Sequence, residues 1–172
     1  NANKNLYLVI AFAGHGIEDY ESIWFNDQKV WENGSFLSNW GSYANFGIHK
    51  GFQSASDSVL TAASNDWTST HVLNGIAYLR VRLVWDEDRK MFPNGVPNIS
   101  AIIKGRKVYD PRKDSTSSVY NSSFGTSSHR LNNESTWEWS QNPALCIRDY
   151  LTNNTYGLGE ANDAIDLQSI SS

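Results

Sequence analysis

The sequence predicts an α+β fold, mainly antiparallel β with two or three short helices. Three observations carry this. Residues 77–85 alternate apolar and polar, two stretches have the form of β-hairpins, and Asn142-Pro143 opens a capped helix. In the clearest strand, Ala77, Leu79, Val81, Leu83 and Trp85 alternate with Tyr78, Arg80, Arg82 and Val84, which makes one face apolar and the other mixed.

The other elements follow in order. Leu6 to Ala13 is a short continuous apolar run, which reads as a strand buried on both faces. Gly14-His15-Gly16 breaks it. Ile23-Trp24-Phe25 and Lys29-Val30-Trp31 flank Asn26-Asp27-Gln28 as a hairpin, because Asn and Asp tolerate the left-handed turn. Asn33-Gly34 marks a further turn, and residues 35–45 are aperiodic loop. Phe46–Lys50 forms a short strand. Ser54–Ala63 forms a short helix that Ser56 or Asp57 can cap. Residues 86–98 are a charged connection. Ile99–Ile103 and Arg106–Tyr109 give a second hairpin around Lys104-Gly105. It shares its grammar with the first, but eight residues are far shorter than a repeat unit, so the reading is two similar hairpins. Residues 114–136 are rich in Ser, Thr and Asn, a long surface excursion. In the helix after Asn142, Ala144, Ile147 and Leu151 recur at helical spacing, and Asn153-Asn154 end it before Tyr156-Gly157-Leu158-Gly159. Residues 163–170 read as the start of another helix. The chain is thus read as one domain over 1–172: a β-rich core at 1–110, an excursion at 111–141 and a helical segment at 142–172.

The 172 residues are 40% hydrophobic and 19% charged, the balance of a globular domain. Aromatic residues reach 13% with seven Trp, which implies an aromatic core or interface. A net charge of -4 argues against coating nucleic acid as the main role, while leaving room for a local contact with DNA. A single cysteine, Cys146, excludes an internal disulfide and gives no basis for a cysteine metal site. No apolar run is long enough to span a bilayer. The chain opens without Met and stops at Ser172 soon after a helix start, so both ends read as those of a fragment of a larger protein.

No stretch matches a catalytic or metal motif. There is no Gly-x-Ser-x-Gly elbow, and Cys146 reads as a packed thiol between Leu145 and Ile147. His15, His49, His71 and His129 are isolated in sequence and read as ordinary polar residues. The acidic groups Glu18-Asp19-Glu21 and Asp86-Glu87-Asp88 lack calcium-loop spacing and read as solvated charge. Gly14-x-Gly16 and Gly157-x-Gly159 read as turns. Trp40, Tyr43, Tyr120, Phe124, Trp137 and Trp139 leave two readings open, a sugar- or partner-binding surface and the cover of a small core. No catalytic, cofactor or metal residue is assigned, and no cofactor is expected.

Two stretches resemble the central hub protein of long flexible phage tails. One is Gly75-Ile76-Ala77-Tyr78 with its strand, followed by Gly95-Val96-Pro97-Asn98-Ile99-Ser100 and by Gly105-Arg106-Lys107-Val108-Tyr109-Asp110-Pro111-Arg112. The other is Trp139-Ser140-Gln141-Asn142-Pro143-Ala144-Leu145 through Leu151, then Tyr156-Gly157-Leu158-Gly159. By these the chain resembles the tip attachment, or host-specificity protein J-like, family. The likeness spans most of the chain and is weak over 32–55 and 113–136, the second of which falls in the Ser/Thr/Asn-rich inserted loop.

The resemblance implies a structural, non-enzymatic protein of a phage or prophage virion. Such a hub closes the tail tube as a trimer of the parent protein and links it to the host-attachment fibre. Implied partners are other hub copies, the distal tail protein, the tape measure and transiently exiting DNA. The implied location is the virion tail tip, after synthesis in the bacterial host cytoplasm. Receptor recognition in that family lies toward the far C-terminal end. The alternatives from other classes are a carbohydrate-binding β-domain and a wall-degrading hydrolase.

Overall fold

The computed structural model describes residues 4–85, 88, 90–125 and 127–167. The chain divides into two compact units, Asn1–Gly105 and Arg106–Ser172.

The first unit holds β1 (Asn5–Ala13), β2 (Asp19–Phe25), β3 (Gln28–Glu32), β4 (Ser35–Phe36), β5 (Ala44–Lys50), α1 (Ser58–Ala63), β6 (Ala77–Val84) and β7 (Ile99–Lys104). They form two antiparallel sheets, one ordered β1-β6-β5 and the other β4-β3-β2-β7. One apolar cluster is shared by Leu79, Val81 and Leu83 of the first sheet and Ile23, Phe25, Val30 and Trp31 of the second, with Trp40 from the loop. Aromatic rings meet edge to face there, Phe25 against Trp40 at 5.3 Å and against Phe46 at 5.9 Å.

Turn chemistry behaves as the sequence predicts. Asn26 takes φ 53° between β2 and β3, and Gln28 already belongs to β3. Asn33 and Gly34 take φ 46° and 93°, the two positive values of a two-residue turn that sets Glu32 opposite Ser35. Asp57, extended in backbone, caps α1 by accepting from the Val59 and Leu60 N–H groups at 2.9 and 3.0 Å. The cap places the helix start at Ser58 rather than Ser54.

Two expectations in this unit are corrected. The apolar run of β1 is not buried on both faces; β1 is an edge strand, with Leu6 and Val9 40% and 38% exposed. The doubly covered strand is β6, whose even-numbered Tyr78 and Arg80 are buried as fully as its odd-numbered residues. Hydropathy misjudges this because a buried arginine looks like a surface one until its partner is known. Likewise, 99–109 is not a hairpin. β7 pairs with β2, and the Glu18 N–H reaches both the Lys104 and Gly105 carbonyls at 2.9 Å. Gly105 does not take the positive φ that a tight turn needs.

The second unit holds β8 (Lys107–Val108), β9 (Glu138–Trp139) and α2 (Pro143–Thr152), joined by 3₁₀ turns at Pro111–Lys113, Ser122–Phe124, Glu134–Thr136 and Asn162–Ala164. β8 pairs with β9. Val108 and Leu145 form its apolar centre with Ala144, Ile165 and Leu167. Val108, which falls within the expected 1–110 segment, finds its apolar partner in Leu145 of the second unit. Residues 111–141 are not only a surface excursion, since Pro111, Asp114 and His129 are buried.

α2 begins as predicted, with the Asn142 side chain accepting from the Ala144 N–H at 2.9 Å and Pro143 in its first turn. Its buried face is Leu145 and Arg148, while Ile147 is 60% exposed. The helix is turned so that the Arg148 guanidinium lies over the Tyr109 ring at 4.7 Å. Cys146 is consequently exposed rather than packed. Past the 3₁₀ turn at Asn162–Ala164, residues 168–170 of the expected last helix lie outside the described residues.

Candidate functional site

In each unit, ionisable side chains from different elements converge around a buried carboxylate. In the first, Asp57 stands at the start of α1 and faces Arg80 of β6 and His49 of β5. Arg80 Nε donates to Asp57 Oδ2 at 3.0 Å, and His49 Nε2 lies 2.7 Å from the same oxygen. Arg80 Nη1 donates to Asn45 Oδ1 at 2.8 Å, and the His49 ring stacks on Tyr78 at 4.1 Å with 9° between planes. The side chains of Asp57 and Arg80 are 5% and 6% exposed. Burial alone would raise the Asp57 pKa. Hydrogen bonds from His49, the Leu60 N–H and Arg80 outweigh it and hold the carboxyl below its ordinary range. Gly47 makes the cluster possible, because a Cβ there would meet Arg80 Nε and Asp57 Oδ2 at 2.7 Å.

In the second unit Asp114 is buried and accepts from Tyr109 Oη at 2.8 Å, from the Thr116 N–H at 2.9 Å and from Thr116 Oγ1 at 2.7 Å. Arg130 Nη1 reaches it at 3.2 Å. Burial and the Asp114 hydrogen bond together push the Tyr109 phenol up. Asp110 accepts from Arg112 through both carboxylate oxygens, at 3.0 and 2.9 Å. His129 is 1% exposed, and its Nδ1 accepts from the Asp110 N–H at 3.0 Å. That bond leaves the proton on Nε2, which lies 3.8 Å from Glu138 Oε2. Burial is the largest influence on the His129 pKa and lowers it, which favours the neutral ring.

Both clusters tie together segments that are distant in sequence. Triad-type nucleophilic catalysis needs a hydroxyl or thiol on the free ring nitrogen of an oriented histidine. Among the described residues, no hydrogen bond joins His49 Nδ1 to such a group, and His129 spends its Nδ1 on a backbone N–H. Elsewhere, Asp19 pairs with Lys50 at 3.0 Å and Asp88 with Lys90 at 2.8 Å, while Asp86 and Glu87 lie outside the described residues. His15 contacts the Gly16 carbonyl, and His71 bonds Thr68. Among the described residues no group of three or more His, Cys, Asp or Glu is placed to hold a metal ion. No helix among them is long and apolar enough to cross a membrane.

The aromatic set divides. Trp40 is core, and Trp137 packs on Tyr109 while its indole N–H donates to the Arg130 carbonyl at 2.9 Å. Tyr120 and Phe124 remain exposed, with the Arg112 guanidinium 4.1 Å over the Phe124 ring. A cavity of about 810 Å³ at one end of the first sheet is lined by Leu6, Leu83, Trp85, Phe92 and Val96, with Lys4 the one charged residue among the described residues that line it. Its described lining is mainly apolar. Compared with known proteins, the chain matches no family model and no curated protein.

Proposed function

We propose that this chain is a structural part of a phage or prophage tail tip, belonging to the central hub that closes the tail tube and links it to the host-attachment fibre. One observation supports the reading above the others. The segment from Arg106 to Arg112 and the one from Asn142 to Leu151, the most specific parts of the resemblance, fold into the same compact unit, where Leu145 packs on Val108 and Arg148 lies over Tyr109. The weakly similar stretch between them forms the connecting turns. Partners on this reading are further hub copies in a trimer, the distal tail protein, the tape measure and exiting DNA.

The test is the oligomeric state. Residues 1–172 should be mostly monomeric by light scattering, because a ring contact in a large hub is shared among several domains and one domain supplies only part of the area. A longer chain with the flanking hub domains should trimerise. If it stays monomeric at high concentration, the hub reading fails.

On the same reading the chain is not an enzyme. Asp57 with Arg80, Asp110 with Arg112, and Asp114 with Arg130 already serve one another as hydrogen-bond and ion-pair partners. Incubation with peptidoglycan, ester and phosphate substrates is expected to give no turnover. Reproducible turnover that disappears with His49→Ala would refute this.

A further inference from the structure

The first unit has one sheet edge built for pairing, that of β1. The Trp85 N–H donates to the Lys4 carbonyl at 2.7 Å, and Asn5 stands opposite Val84. Antiparallel pairs alternate between bonded and non-bonded positions, so Leu6, Leu8 and Ile10 direct their backbone groups at β6. The Val84 N–H donates the other way, to the Tyr43 carbonyl at 2.8 Å, which fixes the same phase. Asn5, Tyr7, Val9 and Ala11 therefore point their N–H and C=O groups outward. Among the described residues none of these groups has a hydrogen-bond partner, and Asn5, Val9 and Ala11 are exposed.

Edges are ordinarily blunted by charge, proline, glycine or shortness. β5 carries His49, Lys50 and Gly47, β7 ends in Lys104, and β4 has two residues. β1 runs nine residues, NLYLVIAFA, with no charge, proline or glycine. Its one guard is an irregularity between Ala11 and Ala13, which leaves Asn5–Ala11 as the regular stretch.

We propose that β1 is an interaction surface for a second copy of this chain, joined by antiparallel β1–β1 pairing about a two-fold axis. The strand's own sequence argues for that occupant. With Leu8 set opposite its symmetry mate, the outward residues pair as Tyr7 with Val9 and Asn5 with Ala11, and every outward N–H and C=O of the regular stretch finds a partner. Tyr against Val is an aromatic–β-branched pair, the favourable kind in a sheet, and no charges face each other. On the other side Leu6 meets Ile10. The register ends where the irregularity begins.

This contact does not depend on the hub reading. A two-fold pair and a three-fold ring differ in mass, so a failure of one is distinguishable from a failure of the other. Two short strands bury less than a standard interface, so the pair is weak and forms only at high concentration.

The experiment is amide hydrogen exchange on residues 1–172 at low and high concentration, with sedimentation alongside. Leu6, Leu8 and Ile10 should be protected throughout. Tyr7, Val9 and Ala11 should exchange freely when dilute and become protected when concentrated, as the sedimenting species shifts toward a dimer. Val9→Pro removes only an outward N–H and should weaken the dimer by about tenfold or more at unchanged monomer fold. Ala11→Lys should do the same by charge. Fast exchange at Tyr7 and Val9 in the concentrated sample overturns the proposal. So does protection of those amides in the dilute monomer, or a dimer indifferent to both substitutions.

Discussion

Replacing Arg80 by Met is expected to destabilise the first unit by about 3 kcal/mol, the scale for removing one partner of a buried ion pair. The substitution keeps most of the side chain's volume between β5 and α1 but leaves the Asp57 carboxylate, 5% exposed, without its guanidinium. The urea midpoint reads the loss. Asp57→Asn retains the oxygen that caps α1 and removes the charge. The double variant should therefore recover part of the stability that Arg80→Met loses, and a strictly additive double variant would mean the pair is not coupled. Acid should act on the same contact. The folded Asp57 pKa is depressed below its ordinary value near 3.8, so its contribution is complete above that value and is lost as pH falls through the lower folded one. The urea midpoint of the parent chain should fall below about pH 4 and that of Asp57→Asn should fall less.

Gly157→Ala should cost the second unit about 3 kcal/mol, at the upper end for overpacking. A Cβ at Gly157 would stand 1.8 Å from the Tyr150 carbonyl oxygen. Relief by a small shift would break a set of bonds. The Gly157 and Gly159 N–H groups donate to the Asn153 carbonyl at 3.2 and 3.1 Å, Leu158 N–H to Tyr150 at 3.0 Å and Glu160 N–H to Leu151 at 2.8 Å. Together they close the C-terminal end of α2, whose last carbonyls have no partner within the helix. Faster amide exchange in the last turn of α2, with β6 unchanged, is the expected signature. An unaltered exchange pattern would mean that this wrap does not hold the helix end.

What the sequence reveals about this chain tracks how local the controlling interaction is. Asp57 and Asn142 cap helices within three residues of themselves, and Asn33-Gly34 sets its own turn, so these elements are legible. The rank of the strands is not. β6 is central only because β1 and β5 come to it from far along the chain, and its Arg80 is buried only because Asp57 waits at a helix start. The hairpin at 99–109 fails for the same reason, since the choice of β2 over a local turn is made by a strand some 80 residues away. Both clusters are equally hidden. His49 and His129 are solitary in the sequence, and their partners Asp57, Asp110 and Glu138 arrive by folding. The Asp110-Pro111-Arg112 turn is the one local sign of the second cluster, through the Asp110 side chain that accepts from the Arg112 N–H.

The pairing of β1 with β6 bears on the order of events as the chain folds. Asn5 meets Val84 and Ala13 meets Ala77, so β1 is synthesised well before its partner strand and has no ladder until most of the first unit exists. Loop closure over that span delays the sheet, and folding dominated by such contacts is slow. Meanwhile LYLVIAFA waits with no charged residue to keep it in solution. The early chain is the form most prone to aggregate. Yield from the ribosome should therefore depend more on how soon β6 emerges than on the final stability of the sheet.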